Sequence, residues 1–249
     1  MDLDIESAGR GPDLVLLHSL LAERSAFARV AAQLAQSFRV HLVNLPGYGK
    51  SRSSGEASIE DYADRIVRSI PDGTALLGNG FGGFIALAIA IRHAEKISAL
   101  IAAPALATFP APAKEPFRML AAKVRSGGMQ PVLDAAIQRM FPPQYIAAYP
   151  DIVAERKGAL AKADPECFAR ACAALAAVDF SKSLNRISAQ TLVMVGALDQ
   201  TTPSYLAREL AQGIKGAQFQ ELAGCGHCPQ IEQPDEFAAA VRRFLSLRT

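Results

Sequence analysis

The chain has 249 residues, half of them hydrophobic, which supplies core enough for one large α/β domain or for a core carrying a smaller insertion. Charge is mixed and nearly balanced at +2, with no basic tract, which argues against nucleic acid or an acidic membrane surface as partner. Apolar patches are broken by charge, Gly or Pro well short of a membrane span, the acidic N-terminus lacks signal-peptide character, and four cysteines are too few for a disulfide scaffold, so a soluble, cytoplasmic protein is expected.

Residues 2–6 alternate weakly and are expected to form an edge strand. Gly9 to Pro12 signal a turn, and 14–17 (L-V-L-L) reads as a short strand buried on both faces. A loop at His18-Ser19-Leu20-Leu21 leads to a helix expected over 25–36, then a strand over 38–43. A Pro- and Gly-punctuated loop covers 44–51. Ser58 with Asp61 three residues on resembles a capping box, opening a helix to about residue 70. A strand at 75–77 breaks at Gly78, a helix runs over 81–93, and another strand occupies 97–102. From residue 104 to about 188 the composition turns to Ala, Pro and charge, with helices near 116–125, 130–140 and 165–177. Eighty-odd residues exceed one crossover, so this stretch is expected to be a helical insertion over the site. Strand character returns at 191–196, followed by a loop with Asp199, a helix at 204–212, a strand at 217–222, a loop holding His227, and a terminal helix at 234–247.

The alternation of strand and helix predicts a doubly wound, mostly parallel sheet, with core segments 1–103 and 189–249 and a helical cap at 104–188. Ligands of such sheets bind beyond the carboxyl ends of the strands, where His18, Asn44 and Gly80 all fall. These three are therefore expected to share one crevice. Aromatic and sulfur side chains of the insertion (Phe109, Phe117, Met119, Met129, Met140, Phe141, Tyr145) are expected to give it an apolar roof.

Five segments carry a family resemblance: L-V-L-L-H-S-L-L (14–21), N-L-P-G-Y-G-K-S (44–51), L-L-G-N-G-F-G-G (76–83), V-M-V-G-A-L-D (193–199) and G-C-G-H-C-P-Q-I-E-Q-P (224–234). In order and spacing the chain resembles the α/β-hydrolase superfamily nearly end to end, and within it the small esterases and lactonases such as 3-oxoadipate enol-lactonase. The resemblance implies that Asp199 orients His227, that His227 is the base, and that the backbone N–H groups of Leu20 and Phe81 form an oxyanion hole. It also implies binding roles beside the site for His18, Ser19 and Asn79. Asn44 stands where the pattern usually has Asp and Ser19 where it usually has Gly, and a third departure touches the chemistry directly. The nucleophile of a G-x-S-x-G elbow falls at Gly80, where no hydroxyl exists.

Glycine removes the nucleophile together with the strain of a positive-φ elbow, and leaves room for about one water beside His227. Three readings compete. The chain is a hydrolase made inert by exchange of Ser for Gly; or the His227–Asp199 pair acts as general base on water or on an acidic substrate proton; or the crevice is a ligand-binding site without catalysis. Retention of both His227 and Asp199 favours an enzyme, of hydrolase type. Ser19 is the other hydroxyl near the crevice, and reads first as a small residue standing where glycine is usual. The string Cys225-Gly226-His227-Cys228 imitates a thiol oxidoreductase motif without the helix N-terminus that such a cysteine needs. Gly78, Gly80 and Gly83 match a dinucleotide fingerprint in spacing, but the acidic residue expected about 20 positions on is replaced by the apolar 99–103. Neither string calls for a cofactor or metal. The partner expected is a small-molecule substrate or ligand, with a homodimer left open.

Overall fold

The short apolar runs of the sequence become neighbouring strands of one sheet in the computed structural model, which describes residues 3–246. The strands are β1 (Ile5–Ala8), β2 (Asp13–Leu17), β3 (Arg39–Val43), β4 (Thr74–Gly78), β5 (Ile97–Ala102), β6 (Gln190–Gly196) and β7 (Gln218–Leu222). Their order across the sheet is β1-β3-β2-β4-β5-β6-β7, parallel throughout except for β1, which runs antiparallel to β3. Successive residues of β2 face opposite layers. Val15 and Leu17 join a core with α2 (Ile59–Val67) and α3 (Phe81–Arg92), whereas Leu14 and Leu16 join α1 (Ala28–Leu34) and the terminal helix at Pro234–Ser246. Burial on both faces is why these strands read as unbroken apolar runs.

The chain leaves β2 toward β3 on one side and returns from β3 to β4 on the other. The carboxyl ends of β2 and β4 therefore flank the point where the winding reverses, the place where open α/β sheets hold ligands. Helix α3 leaves β4 there and is apolar on all sides, with every residue from Phe81 to Ile91 buried. An all-round apolar helix is stable in water only as an interior element. Its first turn touches the strand beside it: the Gly82 N–H donates to His18 O at 3.0 Å, and a β-carbon on Gly82 would overlap the carbonyl oxygen of Leu17.

Five helices lie between β5 and β6: α4 (Ala111–Gly127), α5 (Leu133–Met140), α6 (Pro143–Ala148), α7 (Pro150–Leu160) and α8 (Pro165–Ala177). The sequence pattern missed α6 and α7. Both are short or weakly amphipathic, and both open on a proline at their first position, where the missing N–H has no partner to lose. The helix expected at 25–36 divides into a tight turn at Arg24–Phe27, capped by the Glu23 side chain, and α1 proper. The edge strand expected at 2–6 begins at Ile5 and reaches Ala8, because its register is set by pairing of Ile5 with Val43; residue 2 lies outside the described residues, as does residue 247 of the terminal helix. The capping box at Ser58 and Asp61 is present in both directions. Among the described residues no helix is long and apolar enough to cross a membrane.

Substitution Gly82→Ala should destabilise the fold by about 2 kcal/mol or more in urea unfolding, because backbone lies where the methyl must go. Gly158→Ala, inside α7 with open space around the added methyl, should instead stabilise by up to about 1 kcal/mol.

Candidate active site

Two loops leave the sheet side by side, His18-Ser19-Leu20 after β2 and Asn79-Gly80 after β4. The strand pairing continues past their ends, with the Asn79 N–H donating to Leu17 O at 2.9 Å. Gly80 turns the chain from strand into helix at φ 53°, ψ −117°, a conformation that burdens any residue with a β-carbon. Its N–H donates to Pro104 O at 3.0 Å and its carbonyl accepts from Gly83 at 2.8 Å, so the sharp turn is held from both sides.

The place a β-carbon on Gly80 would take lies 3.1 Å from His227 Nε2 and 3.0 Å from Ser19 Cβ, and it would collide with Ser19 Oγ. The room expected for a water at this position is thus partly occupied by a serine hydroxyl from the neighbouring loop. Ser19 is nearly buried, yet its hydroxyl has no hydrogen-bond partner among the described residues.

His227 and Asp199 arrive from the loops after β7 and β6. His227 Nδ1 lies 2.8 Å from Asp199 Oδ2. Opposite a carboxylate Nδ1 must carry the proton, which leaves Nε2 as the lone-pair nitrogen facing residue 80. The N–H groups of Thr201 and Thr202 donate to Asp199 Oδ1 at 2.8 and 2.9 Å, and the Thr202 hydroxyl donates to Oδ2. Burial alone would push this carboxyl up. The neighbouring imidazole and the hydrogen bonds from His227 and Thr202 outweigh it and hold the group below the usual carboxylate range. The loop carrying His227 is itself clamped. Glu232 accepts from the N–H groups of Gly226 and Cys228 at 2.8 and 3.0 Å, Asn79 Nδ2 donates to His227 O at 3.2 Å, and the His227 N–H donates to Met140 O at the end of α5 at 3.2 Å.

Ser19, Leu20, Gly80, Phe81 and His227 line one small cavity of about 30 Å³, room for a water or two. Phe109, Phe117, Leu120, Arg139 and Leu175 cover it from the helical side. Neither the Leu20 nor the Phe81 N–H has an acceptor among the described residues. A second cavity of about 430 Å³ adjoins the first and shares His227 and Arg139 with it, with Asp199, Met140 and Phe141 also in its wall. His18 does not share the crevice. It is fully buried, its Nδ1 lies 2.8 Å from Ser19 O, and its Nε2 accepts from the Leu45 N–H at 3.0 Å. Burial lowers its pKa to about 4, so it is a neutral strut of the loop rather than a group in contact with ligand. Asn79 is likewise buried and supports the His227 loop, and Asn44 is turned away to Asp4 and Arg24. Of the expected roof, Phe109 and Phe117 cover the small cavity and Met140 and Phe141 the larger one, Met129 and Tyr145 pack in the core, and Met119 is 64% exposed.

Three contributors escaped the sequence reading. Thr202 was legible in principle, since Asp-x-x-Thr places a hydroxyl over its own carboxylate in a local turn. Glu232 and Arg139 gave no local signal. The Arg139 guanidinium is half-buried over the Phe117 ring, 5.3 Å from its centroid, and has no carboxylate partner among the described residues. The buried arginines elsewhere do have one: Arg65 pairs with Glu56 at 3.0 Å and Arg156 with Glu155 at 2.6 Å. Cys225 and Cys228 are buried, and desolvation pushes both thiols up, away from the thiolate that redox chemistry needs. Among the described residues no three His, Cys, Asp or Glu side chains are grouped to hold a metal ion.

Crowding at residue 80 has a measurable consequence. Gly80→Ser should cost on the order of 1–3 kcal/mol of stability from backbone strain and collision with Ser19. Combined with Ser19→Gly, the double variant should recover about 1 kcal/mol beyond the sum of the single effects in a double-mutant cycle.

The sequence model of the alpha/beta hydrolase family matches residues 14–240. A pimeloyl-acyl-carrier-protein methyl ester esterase of Chromobacterium violaceum is 29% identical over 253 residues, spanning 98% of each chain. The enol-lactonase from Burkholderia xenovorans superposes with a TM-score of 0.91 at 29% identity, covering 98% of this chain and 96% of that one. A thermophilic esterase from Thermogutta terrifontis, solved with malate bound, does so with a TM-score of 0.88 at 27% identity, covering 98% and 93%. With its parallel sheet, its glycine-built strand-to-helix turn and its paired Asp199 and His227, the chain belongs to the alpha/beta hydrolase family.

Proposed function

We propose that the protein hydrolyses carboxylic esters or lactones, with His227 as general base, Asp199 as the group that fixes its tautomer, and the N–H groups of Leu20 and Phe81 as donors to the developing oxyanion. The observation that carries this reading is the position of His227 Nε2, 3.1 Å from where a side chain on Gly80 would begin, with its other nitrogen held by Asp199. The unpaired N–H groups of Leu20 and Phe81 support it, because an oxyanion hole must be free of internal acceptors. The esterase and lactonase activities of the relatives point to the same bond class. Gly80 supplies no nucleophile, so the attacking oxygen comes from water or from a hydroxyl elsewhere in the pocket. Residues 104–188 act in this reading as a cap that keeps bulk water from the site.

The substrate is a small acyl compound with one anionic end. An unpaired guanidinium in the wall shared by both cavities is costly to desolvate unless an anion meets it, and a planar fork of donors suits a carboxylate. The malate held by the Thermogutta terrifontis esterase is itself a dicarboxylate.

Assays against p-nitrophenyl esters and enol-lactones test the reaction. His227→Ala should lower kcat/KM by about 10²- to 10⁴-fold, and equal turnover in parent and variant would sink the reading. For Arg139→Gln, KM should rise about 10- to 100-fold toward monomethyl esters of dicarboxylic acids while the dimethyl esters are little affected, a contrast that loss of packing alone would not produce.

A further inference from the structure

We infer that the nucleophile of this site is Ser19, so that the reactive hydroxyl comes from the loop after β2 instead of the turn after β4. The inference rests on the hydrolytic reading above and names the oxygen that reading leaves open. Its starting point is the crowded space at residue 80: Ser19 Oγ lies within collision distance of the place a β-carbon of an elbow residue would take, and that place in turn lies 3.1 Å from His227 Nε2. Ser19 lines the small cavity, in a wall shared with His227, and its hydroxyl makes no hydrogen bond among the described residues. A buried hydroxyl with no partner among the described residues, lining the same cavity as the lone-pair nitrogen of a histidine, is free to form with that nitrogen the hydrogen bond an activated serine requires.

The two backbone donors keep their places while their relation to the nucleophile is exchanged. In a serine elbow the nucleophile is followed directly by one oxyanion donor, and the second comes from the neighbouring loop. With Ser19 attacking, Leu20 is the residue that follows directly and Phe81 is the donor from across the site. Glycine at 80 is then a requirement of the design, since any β-carbon there would displace the Ser19 side chain. His18 braces the loop from beneath, through its contact with Ser19 O at 2.8 Å and its acceptance of the Leu45 N–H.

The steps balance with water as the only co-reactant. Ser19 Oγ bonds to the carbonyl carbon as its proton passes to His227 Nε2, and the carbonyl oxygen becomes the oxyanion. Collapse breaks the bond to the alkoxy oxygen, which takes the proton from His227 and departs as the alcohol or, in a lactone, as the opened hydroxyl end. Water then attacks the Ser19 ester and gives a proton to His227. Release of the acid returns that proton to Ser19 Oγ.

The test is covalent labelling with a fluorophosphonate, read by intact mass and peptide mapping, alongside p-nitrophenyl butyrate hydrolysis. The phosphonyl adduct should map to Ser19 and vanish in Ser19→Ala and in His227→Ala, while in Ser19→Cys p-nitrophenyl butyrate should release p-nitrophenolate and leave a butyryl group on the thiol. Turnover in Ser19→Ala should fall at least 100-fold, with an unchanged unfolding midpoint showing that the variant is folded. An adduct at another residue, no adduct, or parental turnover in Ser19→Ala overturns the assignment, and in the last case leaves direct attack by water as the hydrolytic route. An adduct on Ser19 without turnover of any ester or lactone would uphold the nucleophile while removing the hydrolytic reading it was built on.

Discussion

The reversal of winding between β2 and β4 is the constraint from which the site follows. Two parallel strands that are neighbours in the sheet send their loops to the same place, and the loops can meet only if the helix after β4 starts close against β2. Gly82 allows that approach and Gly80 makes the turn that aims it. Everything brought to the crevice from elsewhere, the histidine from after β7 and the carboxylate from after β6, is positioned against this pair of loops. The apolar character of α3 on every side fixes the helix in the interior, so the turn that precedes it has little freedom to relax.

Electrostatics reinforce the packing. Asp199 is buried, which opposes its charge, but it collects two backbone N–H groups, a threonine hydroxyl and an imidazole. Donors aimed at a buried carboxylate do more than stabilise it; they leave it one orientation, and through it one orientation for the imidazole. Arg139 is the opposite case. Its charge is met by the face of Phe117 alone among the described residues, and the chain provides carboxylates for its other buried arginines.

Much of the architecture was legible because it rests on short-range signals. Continuous apolar runs marked the parallel strands, and the strand at 97–102 was read to the residue. The resemblance carried by the segments around Gly80, Asp199 and His227 pointed to groups that the structure brings together. Short or weakly amphipathic helices were not legible: α6 has 6 residues, and α7 carries little apolar periodicity at helical spacing. Side-chain direction was not legible either. His18 and Asn44 stand past strand ends as expected, yet one is buried under its loop and the other is tied to the N-terminal segment by Asp4. The position of Ser19 depends on two loops separated by sixty residues of chain, and no local pattern reports it. The same holds for Arg139 and Glu232, whose meaning lies in what each does or does not touch.

The hydrogen bond from the His227 N–H to Met140 O joins the imidazole's own backbone to the last turn of α5. The helix that carries Arg139 and walls the larger cavity is thus also a strut of the His227 loop. A displacement of α5 would break this bond and free the loop that holds the imidazole. The wall of the larger cavity and the loop that carries the imidazole therefore share one support, so a change in either is felt by the other.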